Sequence, residues 1–317
     1  MSDYYIGLDI GGTKCAATLG RISDGKIEII EKEKFATENL PPEIILERFS
    51  SFIQNRLEYS PEGIGISCGG PLDSKRGVIM RPPSLPLWDG VNIVAYFRNK
   101  FNINAYLQND ANACAVAEYK FGAGKGSENM IFLTFGTGLG AGLILNGKLY
   151  SGSNDNAGEI GHVRLTGNGP VGYGKSGSCE GYCSGSGIAR LAESYAKKQK
   201  FKKAYESFLS SFGKDGINAK TLAQGARGGN AFCKSVYDKS GEMLGKTLSI
   251  LTDIINPEKI VIGGVFMRAQ DLLRPNMERV MKKECLSYSL NAVSVVAAGL
   301  NENVGDYAAL SIAQGGF

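Results

Sequence analysis

The sequence predicts an α/β protein with two lobes, and two glycine-rich segments carry this prediction. Asp9–Lys14 follows the β-branched and aromatic run Tyr4–Leu8, and Gly136–Gly140 follows a similar run at Met130–Phe135. Glycines after a strand let backbone N–H groups crowd around an anion, because no Cβ blocks the approach. The length of 317 residues also suits two domains better than one core. We therefore expect a polyphosphate to bind between two lobes.

The first half of the chain is expected to begin with a meander of three strands that a helix follows. Pro41–Ile53 has prolines in its first turn and apolar residues at helical spacing, which is typical of an amphipathic helix. Two further strands, joined by a proline-rich loop, then lead to a second helix. The predicted strands are Tyr4–Asp9, Cys15–Leu19, Ile27–Lys32, Ile64–Cys68 and Ala105–Leu107, and the second helix is Ala111–Phe121.

The second half of the chain repeats this plan. A second meander is followed, after the mostly helical and motif-free residues 186–239, by a helix and a strand that ends in a glycine pair, as the strand before Gly69–Gly70 does. A last helix is expected to pack on one of the lobes. The predicted elements are strands at Met130–Phe135, Ala141–Leu145, Lys148–Tyr150 and Lys259–Ile262, and helices at Ser240–Ile255 and Asn303–Gln314.

Composition excludes several classes of protein. Apolar residues make up 43% and charged residues 21%, which are globular values, and the net charge of +4 is spread along the chain. No basic arm marks a nucleic-acid interface. The longest uncharged stretch, Met130–Gly147, is broken by glycines and too polar to span a bilayer, and no secretory signal precedes the first strand. Seven scattered cysteines fit reduced thiols, so we expect a cytoplasmic protein.

Two meanders, each followed by a helix and a strand and facing each other across a nucleotide, describe the actin-like ATPase architecture, which is ribonuclease H-like. Five segments in order, covering essentially the whole chain, resemble the ROK family of repressors, open reading frames and sugar kinases. The resemblance implies a two-lobed α/β fold with a nucleotide cleft, and a homodimer. The five segments are Asp9–Lys14, Asn109–Ala113, Gly136–Gly140, Gly158–His162, and Glu180 with Ser184–Gly185.

The lobe boundary is expected near residue 115. Residues 1–115 would form the small lobe and residues 116–302 the large lobe. The C-terminal helix, within residues 303–317, is a candidate addition to the small lobe.

The resemblance implies that ATP is the nucleotide and that both glycine loops contact its phosphates. Asp9 would help to hold Mg²⁺ through water, and Gly263 and Gly264 would lie against adenosine. The alternative is that these glycines only form hairpin turns or tight strand ends. A dinucleotide-binding Rossmann motif is excluded because Gly136–Ala141 fits its pattern only loosely and strand-like residues follow. A P-loop is excluded because the nearest candidate, Gly122–Gly126, lacks the spacing and the hydroxyl residue after Lys125. The loop residues concerned are Gly11, Gly12, Thr13, Lys14, Gly136, Thr137 and Gly138.

Asp110 is the candidate catalytic residue. Phosphoryl transfer to a hydroxyl needs a carboxylate that accepts the proton as the oxygen attacks the γ-phosphorus. The resemblance gives Asp110 this role and lets Asn109 hydrogen-bond the sugar. The alternative is that Asp110 is only the N-cap of the helix that follows, which is a common task for aspartate.

The resemblance also implies that Glu159, His162 and Glu180 contact sugar hydroxyls, with the backbone near Gly70 on the other side of the substrate. A sugar is recognised by paired polar groups, since leaving one unpaired in a closed site costs about 1–3 kcal/mol. His162 is the only histidine, and its alternative is a structural or merely solvated side chain. The alternative for Gly70 is a strand-to-turn exit.

This chain departs from the family at its structural zinc site. The family pattern places three cysteines after the histidine, and Val171, Tyr173 and Ser178 occupy those positions here, so no structural zinc is expected. A displaced site with His162, Cys179 and Cys183 has too few ligands. The loop 168–184 is therefore expected to be ordered by hydrogen bonds and by packing of Tyr173 and Tyr182, or to be mobile until sugar binds.

Two residues outside this loop were also considered. Ser84 stands where many members of the family have asparagine, so the identity of the hexose is left open. Trp88 is expected in the core.

These observations predict an ATP-dependent hexose kinase that acts at the C6 hydroxyl, like a glucokinase. One alternative is a kinase of an N-acetylhexosamine, N-acetylglucosamine or N-acetylmannosamine, and another is a fructose or allose kinase. A catalytically silent sugar-binding relative is disfavoured by the intact Asn109–Asp110 pair. A repressor is disfavoured because such members carry an N-terminal helix-turn-helix extension before the first strand.

Overall fold

The structure, a computed structural model, describes residues 3–37, 40–300 and 304–317. Its contacts divide the chain into two compact units. Unit 1 contains Met1–Phe132, Gly142–Gly158 and Ala298–Phe317, and unit 2 contains Leu133–Ala141 and Glu159–Ala297. This grouping puts residues 116–132 and 142–158 with the N-terminal part of the chain. The lobe boundary at residue 115 remains a prediction, and residue 302 and Asn303 lie outside the described residues.

The first 121 residues contain eight strands and three helices within the described ranges. The five predicted strands and both predicted helices are confirmed, with ends that shift by a few residues. The elements are β1 (Asp3–Ile10), β2 (Lys14–Ser23), β3 (Lys26–Ala36), α1 (Pro42–Gln54), β4 (Gly63–Cys68), β5 (Leu72–Asp73), β6 (Val78–Met80), β7 (Asp89–Asn92), α2 (Ile93–Phe101), β8 (Ala105–Asn109) and α3 (Asp110–Phe121).

The remaining residues hold the second meander and most of the helices. The helical nature of residues 186–239 is confirmed, and the long helix α8 begins at Ala231 rather than at Ser240, because Asn230 caps it. The elements are β9 (Met130–Phe135), β10 (Leu139–Leu145), β11 (Lys148–Leu149), β12 (Val171–Gly172), β13 (Lys175–Ser176), α4 (Cys179–Tyr182), α5 (Gly185–Ala196), α6 (Lys202–Phe212), α7 (Ala219–Arg227), α8 (Ala231–Ile255), β14 (Lys259–Ile262), α9 (Val265–Glu284), α10 (Ser287–Ala292), β15 (Ser294–Ala297) and α11 (Val304–Ala313).

Unit 1 is built on a five-stranded sheet in the order β3-β2-β1-β4-β8. The meander strands are antiparallel, whereas β4 and β8 run parallel to β1. Alternate residues of β1 face opposite sides of the sheet. Ile6, Leu8 and Ile10 belong to the core that α1 and α2 cover, while Tyr5 packs with Leu310 of α11. Both faces of this sheet are therefore covered.

The segment between β4 and β8 was predicted as a proline-rich loop, and this prediction is wrong. It contains the three-stranded sheet β5-β6-β7 and the helix α2, which Asn92 caps by accepting a hydrogen bond from Ala95 N. Strands of two to four residues are too short to show an alternating pattern. Trp88, in the same segment, is buried in the core as expected.

The second five-stranded sheet has the order β11-β10-β9-β14-β15. β14 and β15 are parallel, and β10 and β11 form the predicted hairpin. The edge strand β15, Ser294–Ala297, was not identified from the sequence. Among the described residues, none of the helices combines the length and the apolar character that crossing a bilayer would require.

Candidate active site

The first glycine loop of unit 1 is a tight connection between β1 and β2. Gly11 N donates a hydrogen bond to Lys14 O at 3.1 Å, and Thr37 Oγ1 donates to Gly11 O at 2.7 Å. Thr13 and Lys14 are exposed, and Gly12 is partly exposed. The sequence-predicted residues Gly11, Gly12, Thr13 and Lys14 therefore lie together, directly after Asp9 at the end of β1.

The face of the sheet on which Asp9 lies follows from strand alternation. Asp9 shares a face with Tyr5, so it points to the side that α11 covers. A Cβ placed on Gly305 would lie 3.7 Å from Asp9 Oδ2. Asp9 pairs with Ala16 of β2, and Ala16 pairs with Lys34 of β3, so Lys34 lies in the same cross-strand row as Asp9. Lys32 pairs with Thr18 of β2 and lies in the next row on the same face of the sheet.

These residues line a pocket of about 270 Å³ in unit 1, which we call the acidic corner after Asp9 and Asp306. The carboxylate of Asp306 is buried and forms an ion pair with Lys32. Sequence analysis missed both residues. No local signal could have found them, because 274 positions separate them in the chain.

The environment of Asp9 favours its neutral form. Burial raises the pKa of Asp9 to about 7, with further contributions from the negative charges of Asp110 and Asp306. A hydrogen bond from Ser67 and the charge of Lys32 oppose this shift. A pKa raised by neighbouring carboxylates is a common sign of a functional site, because a bound cation can relieve the repulsion.

The last residue of β8 and the first residue of α3 have separate tasks. Asn109 is the N-cap of α3, since its Oδ1 accepts hydrogen bonds from Ala111 N at 3.0 Å and Asn112 N at 3.4 Å. Gln108 fixes this corner by accepting from Asn109 N at 2.8 Å and Asn112 Nδ2 at 3.1 Å. The cap that was considered for Asp110 is therefore supplied by Asn109.

Asp110 is the first residue of α3 and remains exposed to solvent. Its Oδ1 accepts a hydrogen bond from Ala111 N at 2.8 Å. The surrounding protein removes part of the water from its carboxyl group and raises its pKa, while hydrogen bonds from Ala111 and Asn109 oppose that shift. A Cβ placed on Gly70 would lie 3.5 Å from Asn109 Nδ2, so Gly70 belongs to the same neighbourhood.

The acidic corner fits a hydrated magnesium ion better than a cage of protein ligands. Within residues 3–37, 40–300 and 304–317, no three histidine, cysteine, aspartate or glutamate side chains are arranged to hold a metal. Magnesium keeps several of its waters and usually binds one or two carboxylates together with phosphate oxygens. Asp9, with Asp110 and Asp306 near it, provides such a donor set.

In unit 2 the second glycine loop and the late glycine pair lie against each other. Gly264 has a φ of +63°, and a Cβ placed on it would lie only 2.0 Å from Phe135 O, so this position needs glycine. Gly136 O accepts a hydrogen bond from Gly185 N at 2.8 Å, and Gly263 N donates to Leu133 O at 3.0 Å. Gly136, Thr137, Gly138, Gly263 and Gly264 are therefore brought together, at the N-terminus of α9.

Glu180 connects this loop to the segment that replaces the zinc site. Its Oε2 accepts from Leu139 N at 3.2 Å, and its Oε1 accepts from Tyr173 N at 2.9 Å. A Cβ on Gly138 would lie 2.8 Å from Glu180 Oε2, so the small residue permits this approach. The carboxylate thereby fixes two backbone segments in unit 2.

Glu159 directly precedes a single 3-10 turn at Ile160–His162, of which His162 is the last residue, and both side chains are exposed. His162 N donates to Glu159 O at 3.1 Å, and the imidazole ring lies edge-on to the ring of Tyr173, with centroids 5.4 Å apart. Both residues therefore present polar groups to solvent close to the Tyr173 backbone that Glu180 holds.

The residues at the family's cysteine positions take structural roles here. Ser178 is buried and caps α4, accepting from Gly181 N at 3.2 Å and donating to Gly172 O at 2.9 Å. Val171 lies in the β12–β13 hairpin and is exposed, as is Tyr173. Hydrogen bonds hold the loop as expected, and Tyr182 is buried with its hydroxyl 2.9 Å from Thr166 Oγ1, whereas Tyr173, which was also expected to pack, is 53% exposed.

The displaced zinc site finds no support. The thiols of Cys179 and Cys183 are fully buried, and burial raises the pKa of each. Cys179 Sγ accepts from Thr247 Oγ1 at 3.4 Å, whereas His162 is exposed. Within the part of the chain that the structure describes, these three side chains do not form a group that could hold a metal.

A cavity of about 440 Å³ in unit 2 adjoins the glycine pair and was not predicted from the sequence. It is enclosed by α7, α8 and the start of α9, and its lining includes Gln224, Tyr237, Val265 and Arg268. Val265 directly follows Gly264. Most of the lining comes from residues 186–239, where no motif was recognised, because a helix packing surface carries no local pattern that marks a cavity.

Two five-stranded sheets, each entered by a meander with a glycine loop after its first strand, define the two-lobed actin-like ATPase class. The chain belongs to the ROK family, whose family model matches residues 5–315. It is 34% identical to a glucokinase of Halalkalibacterium halodurans over 308 residues, which cover 93% of this chain and 89% of that protein.

Two further similar proteins are a glucokinase of known structure and a DNA-binding regulator. A ROK glucokinase from Streptomyces griseus, solved with glucose and AMPPNP, is 29% identical, with a TM-score of 0.78 over 99% of this chain and 100% of that one. The DNA-binding regulator NagC of Escherichia coli is 27% identical over 94% of this chain and 72% of its own length. The relatives thus include both sugar kinases and regulators.

Proposed function

We propose that this chain is an ATP-dependent hexose kinase that phosphorylates the C6 hydroxyl of glucose. The observation that carries the proposal is the division of tasks between the last residue of β8 and the first residue of α3. Asn109 caps α3, so the exposed carboxylate of Asp110 is left for chemistry. The similarity to glucokinases, one of them solved with glucose and an ATP analogue, supports the same reaction.

The reaction follows from the chemistry of the residues in unit 1. The Asp110 carboxylate accepts the proton of the sugar hydroxyl as its oxygen forms a bond to the γ-phosphorus, and the bond from that phosphorus to ADP breaks. Its raised pKa makes Asp110 a stronger base than a fully hydrated aspartate. Asn109 Nδ2, beside Gly70, is the donor proposed to orient the sugar.

The nucleotide is proposed to contact both glycine loops. In unit 1, Gly11–Lys14 supplies backbone N–H groups and one ammonium group, and Asp9 holds Mg²⁺ through water. In unit 2, Gly136–Gly138 would meet phosphate, and Gly263–Gly264 with the adjoining cavity would meet adenosine. Magnesium, when bound, neutralises charge on the phosphates.

The sugar is proposed to be recognised by Glu159, His162 and Glu180 of unit 2. Glu180 already accepts two backbone hydrogen bonds, which fix its carboxylate before a ligand arrives. Each carboxylate oxygen retains a second lone pair for a sugar hydroxyl.

The enzyme is proposed to be cytoplasmic. All seven cysteines are unpaired, which supports this location.

A substrate panel tests the proposal directly. ADP formation is measured with ATP, Mg²⁺ and one sugar at a time: glucose, mannose, fructose, allose, N-acetylglucosamine and N-acetylmannosamine. We expect the highest kcat/KM with glucose, and phosphorus NMR of the product should show a phosphate on C6. Faster turnover of an N-acetylhexosamine would replace glucose as the substrate. Sugar binding without sugar-dependent ADP formation would contradict the kinase and favour a regulator.

A further inference from the structure

The loop at residues 151–158 leads directly into Glu159, one of the proposed sugar ligands. Its sequence is Ser-Gly-Ser-Asn-Asp-Asn-Ala-Gly, so it contains no large apolar side chain that could anchor it in a core. Ala157 N donates a hydrogen bond to Ser151 O at 3.1 Å and closes the base of the loop, whereas three residues near its tip are exposed. Segments with little buried apolar surface open easily. The position of this loop therefore depends on polar contacts.

Asp155, near the tip of the loop, makes two such contacts with a single residue. Its Oδ2 accepts a hydrogen bond from Ser74 N at 2.8 Å, and its Oδ1 accepts one from Ser74 Oγ at 2.8 Å. We call these two bonds the Asp155–Ser74 clamp. Hydrogen bonds to an ionised carboxylate are stronger than those to a neutral acceptor, and two of them fix direction as well as distance. The clamp joins positions that are 81 residues apart, both of them in unit 1.

The backbone of Asp155 is also unusual. Its φ is +60°, in the left-handed region that residues other than glycine seldom adopt. A conformation of this kind costs free energy and persists only where the surrounding structure imposes it, most often at functional sites. Here it accompanies the double contact of the side chain with Ser74.

Ser74 gives the clamp a firm anchor. It lies in the turn between β5 and β6, and this hairpin is fixed by Leu72 and Ile79, which pair across the two strands and are both buried. The same segment of the chain contains Gly70, which was proposed to contact the sugar. The clamp therefore ties the loop that precedes Glu159 to a well-packed segment that belongs to the proposed sugar site.

We propose that Asp155 is a positioning residue for sugar binding: the Asp155–Ser74 clamp fixes the loop at residues 151–158 and thereby the point from which Glu159 extends. Groups that are held in place before a ligand arrives lose less conformational freedom on binding, so the clamp raises the affinity for sugar. The clamp itself rests only on its two hydrogen bonds. Its effect on sugar binding rests, in addition, on the proposed kinase function.

Hydrogen exchange of the full chain tests the clamp. Asp155→Gly removes the carboxylate without straining the backbone, because glycine readily adopts a positive φ. Exchange at Ser74 and across residues 151–158 should become about 10-fold faster or more, as loss of two hydrogen bonds to a charged group predicts. The matched control is Asp24→Gly, at an exposed turn of unit 1 with a φ of +50°, which should exchange like the wild type at these positions.

Two further variants separate hydrogen bonding from charge. Asp155→Asn should keep most of the protection, because its Oδ1 can accept from Ser74 N while its Nδ2 donates to Ser74 Oγ. Ser74→Ala should give a smaller increase in exchange than Asp155→Gly, since the backbone N–H of residue 74 keeps its acceptor. Exchange that is as fast in Asp155→Asn as in Asp155→Gly would contradict a clamp made of hydrogen bonds.

Kinetics and calorimetry with glucose test the positioning role. Asp155→Gly should raise both the KM and the dissociation constant for glucose by about 5-fold or more, with kcat and the KM for ATP within about twofold of the wild type. Asp155→Asn should restore the affinity for glucose, and Asp24→Gly should leave it unchanged.

The outcomes distinguish the parts of the proposal. Unchanged exchange in Asp155→Gly would overturn the clamp, and faster exchange with unchanged affinity for glucose would overturn the positioning role. A wild type that binds glucose without forming ADP would contradict the proposed kinase, while calorimetry on the same variants would still show whether the clamp supports sugar binding.

Discussion

The two units carry different kinds of candidate site residues. Unit 1 supplies charge, since Asp110 and Asp306 repel Asp9 and Lys32 compensates only part of that repulsion. Unit 2 supplies closely packed backbone, with Gly264 against Phe135 and a glutamate whose carboxylate is satisfied by two N–H groups. Substitutions in unit 1 should therefore act mainly on charge and chemistry, and those in unit 2 on packing and loop geometry.

Gly264→Ala should be the most damaging change to stability. The new Cβ would lie 2.0 Å from Phe135 O, at a φ that residues other than glycine rarely adopt. We expect a loss of about 3 kcal/mol or more, from backbone strain and overpacking together. Urea unfolding followed by hydrogen exchange across residues 259–284 measures it.

Gly167→Ala is the matched control for this change. Nothing lies within 4 Å of a Cβ at that position of unit 2. Equal stability of the two variants would show that the packing of the glycine pair against Phe135 is not important.

Lys32→Met should destabilise unit 1 by about 2 kcal/mol, because it leaves the buried Asp306 without its cation. The double variant Lys32→Met with Asp306→Asn should recover much of this loss, and a double-mutant cycle from thermal unfolding gives the coupling. Purely additive effects would mean that the pair is energetically unimportant. Lys26→Met, at the exposed start of β3, is the control.

Glu180→Gln should cost about 1–2 kcal/mol locally, since the amide keeps one acceptor and one of the two N–H groups loses its partner. Hydrogen exchange should become faster at Leu139 or Tyr173, and the KM for sugar should rise. Glu193→Gln, on the exposed side of α5, provides a control with the same change of charge. Unchanged exchange at both amides would show that Glu180 does not fix these segments.

The effect of Asp9→Asn on the stability of the protein should depend on pH. The pKa of Asp9 is about 7 in the folded protein, above its ordinary value of 3.8, so the folded state binds more protons between these pH values. Folding stability from this group is therefore lost as pH rises toward 7. Without nucleotide, the variant should melt above the wild type at pH 8, with a smaller difference at pH 5.

Magnesium and ATP should reverse this order at pH 8. Ligand binding stabilises only a protein that can hold it, so the wild type should gain more in melting temperature than the variant. An identical pH dependence of the two apo proteins would contradict the raised pKa of Asp9.

Much of the fold could be predicted because its signals are local. The strands β1, β4, β9 and β14 are apolar runs that end at turn residues, and each was found with nearly correct ends. The strands β5, β6 and β7 were missed because they are too short to show periodicity.

The site was predictable where a motif lies in one segment and not where the fold joins distant segments. The loops around Gly11 and Gly136 could be read from glycines that follow strands. Asp306 and Lys32 could not, because only the strand register and the packing of α11 on β1 bring them to Asp9. The alternative that made Asp110 the N-cap placed the cap one residue late, since Asn109 and Asp110 are equally good capping residues.

The central claim is that Asp110 is the base of a sugar kinase. Asp110→Asn preserves the shape of the side chain and removes its basicity, and Asp24→Asn makes the same change at an exposed turn of unit 1. Turnover and sugar affinity are measured for both variants and for the wild type. Asp110→Asn should lower kcat by about 10²–10⁴-fold while sugar binding persists, as expected for loss of a general base, and Asp24→Asn should match the wild type. Turnover of Asp110→Asn close to that of the wild type would contradict the account.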